Sequence, residues 1–357
     1  MIQSERQSHI LREIDLRGSV SITEFAERIG ASGMTVRRDL AHLEEQGLVE
    51  RVHGGAVKPR SQSSAGRRLQ PLATIGMIVP SARYYFPDVI RGAKVASQEA
   101  GARLVLGISE YSSDLEREQI ARLTAKGIDG LLVTPSTSYD LDPSTFELLD
   151  ELTAPAIVVE RAIDATRTRV SLNAVRSDHA HGAELAVNHL LSRGRRRIAL
   201  AWRQSPTAPL VREGYRRALE AGTGVEPIEL ELTVADAPAE RLRERLIELL
   251  DICIAQEVDA VVVLPDEAAI SLIEVAEDRG LMVPTDLAIV AYDDEVACLA
   301  SVPLTAVAPP KYDVGYLAAK TCLDRILAEN RGLPPSALAR VGLLPTLIER
   351  ESSQPAS

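Results

Sequence analysis

The hydrophobic pattern changes its period once, near residue 58. Before that point it is helical. Ile10, Leu11, Ile14 and Leu16 lie near helical spacing, and Gly18 stops that element. Ser21-Ile22-Thr23-Glu24 fits a capping box, in which hydroxyl and carboxylate each close a free backbone N–H. The helix it opens turns Phe25, Ala26 and Ile29 inward and ends at Gly30. Ser32 can cap a third helix, where Val36, Leu40 and Leu43 recur at i, i+4 and i+7, and Gly47 ends it. Two short β-prone pieces follow, around 48–52 and 56–57, with His53-Gly54-Gly55 as the turn. Three helices and a hairpin predict a winged helix-turn-helix over residues 1–57.

Residues 58–72 have no apolar period. They are rich in Ser and basic residues, which predicts a flexible linker. From residue 73 the rhythm is strand, helix, glycine, strand. Ile75–Val79 is a continuous apolar strand, a helix runs from near Pro87 to Gly101, and Leu104–Leu106 is the next strand. The same unit recurs with Gly127 before Leu131–Val133, Gly194 before Ile198–Ala201 and Gly280 before Leu287–Ala291. Strands apolar on both faces, alternating with amphipathic helices, specify parallel sheets covered on both sides. The stretch is long for one doubly wound sheet, so two sheets with a cleft between them are expected.

Charge sharpens this division. The formal net charge is −11, which by itself argues against nucleic acid. Residues 1–72 nevertheless carry 11 Lys+Arg against 9 Asp+Glu, a net of +2, while the remainder is 29 against 42, a net of −13. Any DNA contact must come from the small head. The three cysteines, Cys253, Cys298 and Cys322, form neither a zinc cluster nor a redox pair and suit a reducing compartment. No apolar run is long enough to span a membrane, and the N-terminus lacks the layout of a signal peptide, so a cytoplasmic protein is expected. His179 and His181 sit two residues apart on a helix and so point to different faces, against a metal site, and Asp178 caps that helix. No P-loop, nucleophile elbow or dinucleotide fingerprint is present, and no cofactor is expected.

The head resembles the DNA-binding domain of the deoxyribonucleoside-repressor (DeoR) family. The resemblance rests on Thr35-Val36-Arg37-Arg38-Asp39-Leu40, then Leu43-Glu44-Glu45-Gln46-Gly47-Leu48-Val49, then Arg51-Val52-His53-Gly54-Gly55-Ala56. With Val36, Leu40 and Leu43 facing inward, Thr35, Arg37, Arg38 and His42 are left for the major groove. Arg can read guanine or hold a phosphate, and Thr can meet a phosphate or a thymine methyl. Ser32, His53, Gly54 and Gly55 complete the expected DNA surface.

Residues 73–352 resemble the effector-binding core of the lactose/galactose-repressor (LacI/GalR) family, itself similar to periplasmic sugar-binding proteins. The landmarks run from Ile75-Gly76-Met77-Ile78-Val79-Pro80 through Asp129-Gly130-Leu131, Arg212-Glu213-Gly214-Tyr215 and Ala291-Tyr292-Asp293-Asp294 to Pro303-Leu304-Thr305. The resemblance implies two lobes, about 73–161 with 308–328 and about 165–306 with 335–352, joined by crossings near Arg161–Asp164, Ala306–Pro309 and Leu327–Pro335. It places a sugar or nucleoside-like effector in the cleft, against Tyr84, Tyr85, Phe86, Arg161, Asp266 and Asp293, with Trp202, Arg203 and Arg212 as further candidates. Val211 and Pro265 stand where the family often has Arg and Asn, which points to a less hydroxylated ligand or one held differently. The chain therefore reads as a chimera: a ligand-responsive repressor of carbohydrate or nucleoside genes, acting as a homodimer on double-stranded operator DNA. A sugar-binding module or a phosphosugar isomerase-like enzyme is the alternative.

Overall fold

The computed structural model describes residues 6–7, 9–11, 13–14, 19–45, 48–52, 54–57, 71–164, 169–222, 224–232, 238–334 and 336–354. The chain divides into two compact units, Met1–Gln70 and Pro71–Ser357. Among the described residues no helix is long and apolar enough to cross a membrane.

In the first unit, β1 (Ser19–Ser21) leads into α1 (Ile22–Ile29), α2 (Gly33–Glu45), β2 (Glu50–Val52) and β3 (Gly55–Val57). Residues 6–7, 9–11 and 13–14 are helical as well. Ile10, Ile14, Phe25, Val36, Leu40 and Leu43 close one core, so the helical spacing read from the sequence is the spacing that packs. Leu16, Gly47 and the linker over 58–70 lie outside the described residues. β1 was not expected. It pairs antiparallel with β3, making a three-stranded sheet in the order β1-β3-β2. Gly55 sits in the central strand, where a Cβ would lie 2.0 Å from the Val20 carbonyl oxygen, so only glycine permits this approach.

The second unit has two six-stranded sheets. The first has the order β14-β8-β7-β6-β4-β5, using β4 (Thr74–Val79), β5 (Arg103–Ile108), β6 (Gly130–Val133), β7 (Ala156–Val159), β8 (Asn173–Ser177) and β14 (Arg340–Leu343). Its helices are α3 (Phe86–Glu99), α4 (Ser113–Ala125), α5 (Ser144–Asp150) and α10 (Lys311–Asn330). The second has the order β10-β9-β11-β12-β13-β15, using β9 (Ile198–Trp202), β10 (Ile228–Glu231), β11 (Ala260–Leu264), β12 (Ala288–Tyr292), β13 (Thr305–Ala308) and β15 (Thr346–Ile348). It carries α6 (His179–Ser192), α7 (Ala208–Gly222), α8 (Ala239–Ala255) and α9 (Asp266–Asp278). All pairings are parallel except β13 with β15. Each sheet is apolar on both faces, as the continuous Val, Ile and Leu runs require.

Helices α3 and α10 pack through reciprocal glycines. A Cβ on Gly92 would lie 1.9 Å from the Tyr312 carbonyl oxygen, and one on Gly315 would lie 1.9 Å from that of Val89.

The crossings between lobes differ from the sequence-based expectation at two of three places. The chain leaves the first sheet after β8, at Ser177–His179, and not near Arg161–Asp164. It returns between β13 and α10. It crosses again between β14 and β15, at Leu343–Thr346, and not at Leu327–Pro335. The lobes therefore hold about 71–177 with 311–343, and about 179–308 with 346–354. The cause is a break in the strand–helix rhythm: among the described residues between β7 and β8 there is no helix, and β14 and β15 are neighbours in sequence that join different sheets. The Asp178 N–H donates to the Leu343 carbonyl at 2.8 Å, tying the first and third crossings together.

Candidate functional site

In parallel sheets the carboxyl ends of strands face the crevice where ligands bind. Here a cleft of about 470 Å³ lies there, lined from both lobes. Tyr84, Tyr85 and Phe86 follow β4, Ser136 follows β6, and Glu160 and Arg161 follow β7. From the other lobe come His179 at the start of α6, Arg203 after β9, Pro265 after β11 and Asp293 after β12. Tyr84, Glu160 and Asp293 have φ of 55°, 55° and 97°, left-handed values that non-glycine residues adopt only when their surroundings hold them.

Two buried carboxylates face different environments. Glu160 is enclosed by donors: Tyr85 Oη at 2.8 Å, Ser177 Oγ at 2.8 Å, the Ser177 N–H at 3.0 Å, and His179 Nε2 at 3.5 Å. Burial alone would raise its pKa, but His179, the Ser177 N–H and the Tyr85 hydroxyl outweigh it and hold the group at about 2. Asp293 is 6% exposed, and among the described residues the hydrogen bond its carboxylate receives is from the Tyr84 hydroxyl, at 3.3 Å. Burial pushes it up to about 7, with Asp266 adding to the effect and Lys311, His179 and Tyr84 opposing it. Glu160 is thus a satisfied structural anion, whereas Asp293 retains acceptor capacity toward the cleft.

The Tyr84 hydroxyl crosses between lobes. It donates to Asp266 Oδ1 at 2.5 Å, and its own pKa is raised by burial and by the two aspartates. Arg161 is buried, with Nε donating to the Pro135 carbonyl at 2.7 Å and Nη1 to the Glu160 carbonyl at 2.8 Å, and it lines the cleft. Lys311 Nζ donates to the Asp293 carbonyl and to Glu295, and sits 5.2 Å from the Tyr85 ring centroid. The cleft therefore offers arginine donors, one under-partnered carboxylate and aromatic faces, a set suited to a hydroxylated ring.

The expected effector residues separate into two groups. Tyr84, Tyr85, Phe86, Arg161, Arg203 and Asp293 line the cleft. Asp266, Trp202 and Arg212 do not. Asp266 is fully buried, and its Oδ2 accepts the N–H groups of Glu295, Val296 and Ala297 at 2.7, 2.7 and 3.1 Å, so it fixes the loop behind Asp293. Trp202 is the last residue of β9 and packs in the lobe core. The Arg212 guanidinium lies 4.5 Å from the Trp202 ring centroid and pairs with Glu229 at 2.7 Å. Strand alternation decides this: Trp202 turns into the sheet layer while its neighbour Arg203 reaches the cleft. Val211 is core as well, so only the Pro265 departure bears on the ligand. Sequence reasoning missed His179, Ser136, Tyr111 and Leu141 as lining residues. For His179 the signal was present, one residue past the cap Asp178, which accepts the His181 N–H at 3.3 Å.

In the head, Ser32 caps α2, its Oγ accepting the Thr35 N–H at 3.2 Å. Arg37, Arg38 and His42 are exposed on α2, and neither arginine has an ion pair among the described residues. Asp39, directly after them in the motif, is buried and pairs with Arg6 at 2.8 Å, so it ties α2 to the helical residues before β1. Gly54 is exposed with φ 85°, and its carbonyl accepts the Ile22 N–H at 2.9 Å. Gly55 is buried, which makes it a builder of the sheet and removes it from the DNA surface. His53 lies outside the described residues.

Comparison with known proteins follows this division. A DeoR-like helix-turn-helix domain matches residues 6–62, and a periplasmic binding protein-like domain matches residues 187–353. The arabinose metabolism transcriptional repressor of Geobacillus stearothermophilus is 29% identical over 344 residues, covering 93% of this chain and 90% of that protein. The HTH-type transcriptional regulator CelR of Thermobifida fusca is 30% identical over 313 residues, covering 80% of this chain and 89% of that protein. Among solved structures, a CelR–cellobiose complex aligns with a TM-score of 0.65 at 25% identity, covering 90% of this chain and 91% of that one. A LacI family regulator of Enterococcus faecium with bound ribose aligns with a TM-score of 0.62 at 25% identity, covering 80% and 100%. These relatives are regulators, not enzymes, and with the two-lobed fold and its cleft they show that this chain belongs to the LacI family of ligand-responsive, DNA-binding transcription regulators, with a DeoR-like head.

Proposed function

We propose that the protein is a cytoplasmic, homodimeric repressor of carbohydrate-utilisation genes, with a sugar as the effector in its interlobe cleft. The observation that carries this reading is the convergence, from two lobes, of Arg161 donors, the under-partnered Asp293 carboxylate and the Tyr84 and Tyr85 rings. Carboxylate and guanidinium each satisfy hydroxyls by charge-assisted bonds, and the rings meet the apolar face of a sugar. The relatives named for arabinose and the solved complexes with cellobiose and ribose support a carbohydrate over a nucleoside. Arg37, Arg38, Thr35 and His42 on α2 are the proposed readers of the major groove. Two such heads on a pseudo-palindrome supply the contacts that one small head lacks. The coupling is a difference in sugar affinity between DNA-competent and DNA-incompetent states.

The test is a mobility shift on the protein's own upstream region, with and without a panel of pentoses, hexoses and disaccharides. One sugar should change operator affinity. A specific complex that none of them shifts refutes the sugar reading, and the absence of specific binding refutes the operator.

A further inference from the structure

The face of α2 that turns away from the core of the head is not uniformly polar. Val36, Leu40 and Leu43 pack inward, and Met34, Arg38 and Ala41 recur at i, i+4 and i+7 on the opposite side. Met34 is 70% exposed, more than any other large apolar residue among the described residues of the head. The core that Ile10, Phe25 and Val36 help to close does not include it. Single apolar residues on a surface are ordinary. Met34 differs in its setting. It is the second residue of α2 and stands one turn before Arg38, which is exposed and has no ion pair among the described residues.

Its neighbour Thr35 is engaged elsewhere. The Thr35 and Ser32 hydroxyl oxygens lie 2.9 Å apart, and Ser32 Oγ also accepts the Thr35 N–H at 3.2 Å. Those two residues build the start of the helix, which leaves Met34 as the large apolar group on its outward face. A base edge in the major groove presents one apolar group, the C5-methyl of thymine. A flexible, polarizable thioether chain can cover it. Arg38 has the fork that matches guanine O6 and N7. Four residues of helix rise about 6 Å, against about 3.4 Å for each base pair. Side chains at positions 34 and 38 therefore reach base pairs no more than two steps apart.

We infer that Met34 is a specificity-determining residue of the head: its side chain covers a thymine methyl in each operator half-site, within two base pairs of the guanine that Arg38 holds. This rests on the placement of α2 in the major groove and deepens it by naming a base. It also divides the readout in two. The arginines supply contacts that weaken with salt, whereas the Met34 contact carries no charge and releases no counterion.

The experiment is a mobility shift with the full-length protein on its own upstream operator, each thymine of the two half-sites being replaced in turn, symmetrically, by deoxyuridine. Uracil pairs as thymine does and lacks only the methyl group. For the wild type, one thymine position should stand out. Losing its methyl should weaken binding by roughly fourfold per half-site, and so by about fifteenfold for both, from the transfer of one methyl out of water. Met34→Ala keeps a strong helix former at an exposed position, so folding is retained. It should weaken binding to the natural operator by a similar factor, leave the salt slope unchanged and remove the response to uracil at that position. A wild type indifferent to uracil at every thymine, or a Met34→Ala protein that keeps the wild-type response, overturns the inference. If Arg37→Ala with Arg38→Ala still loses the operator in that case, α2 stays in the groove. Normal operator binding by that double variant, or no specific binding by the wild type, overturns both readings.

Discussion

Replacing Asp293 with Asn tests the electrostatics of the cleft directly. The carboxylate is 6% exposed, its nearest hydrogen-bond donor is the Tyr84 hydroxyl at 3.3 Å, and burial lifts its pKa to about 7. An ordinary aspartate in the unfolded chain titrates near 3.8. The folded protein therefore holds this proton more tightly than the unfolded chain does. That contribution to stability is complete below pH 3.8 and is lost as pH rises through 7. With about 1.4 kcal/mol per pK unit, the buried charge costs on the order of 4 kcal/mol above pH 8. Asn has nearly the same shape and no charge. Asp293→Asn should therefore be more stable than wild type by about 4 kcal/mol at pH 8.5, by about 2 kcal/mol at pH 5, and by nothing near pH 3. Urea unfolding at pH 5 and 8.5 measures it, followed by the fluorescence of the single tryptophan, Trp202, buried in the same lobe. A stability difference that is absent, or that does not grow between those two values, refutes the assignment of Asp293 as a buried, under-partnered charge. The same substitution should weaken effector binding, since the carboxylate is the proposed acceptor for ligand hydroxyls. Wild-type affinity should rise with pH up to about 7 and then level off.

Three further outcomes follow from the geometry. Arg37→Ala with Arg38→Ala should abolish specific operator binding and, with four cations removed per dimer, lower the slope of log affinity against log salt for the remaining non-specific binding by about four, with circular dichroism unchanged; an unaltered mobility shift removes α2 from the groove. Gly315→Ala puts a Cβ 1.9 Å from the Val89 carbonyl and should destabilise the larger unit by about 1–3 kcal/mol or more in urea unfolding, whereas unchanged stability means that α3 and α10 separate freely. Tyr84→Phe removes the hydroxyl that joins the lobes through Asp266, at a cost of about 1–3 kcal/mol, and should increase the radius of gyration of the ligand-free protein in X-ray scattering; no change in either shows that this bond does not hold the lobes.

The sequence alone determined the parts that depend on local periodicity. Helical spacing of Val36, Leu40 and Leu43 fixed which face of α2 is buried and left Arg37 and Arg38 outside, because side-chain direction in a helix follows from position. Continuous apolar runs such as Ile75–Val79 announced parallel strands, because a strand covered on both faces must be apolar throughout. Tertiary structure decided what depends on partners distant in the chain. That β8 and β14 join the first sheet was invisible, since strand pairing has no local signature. That Asp266 buttresses a loop while Asp293 faces the cleft was equally hidden. Both are acidic residues just beyond apolar strands, and only the N–H groups of residues 295–297 folding over one of them tells the two apart.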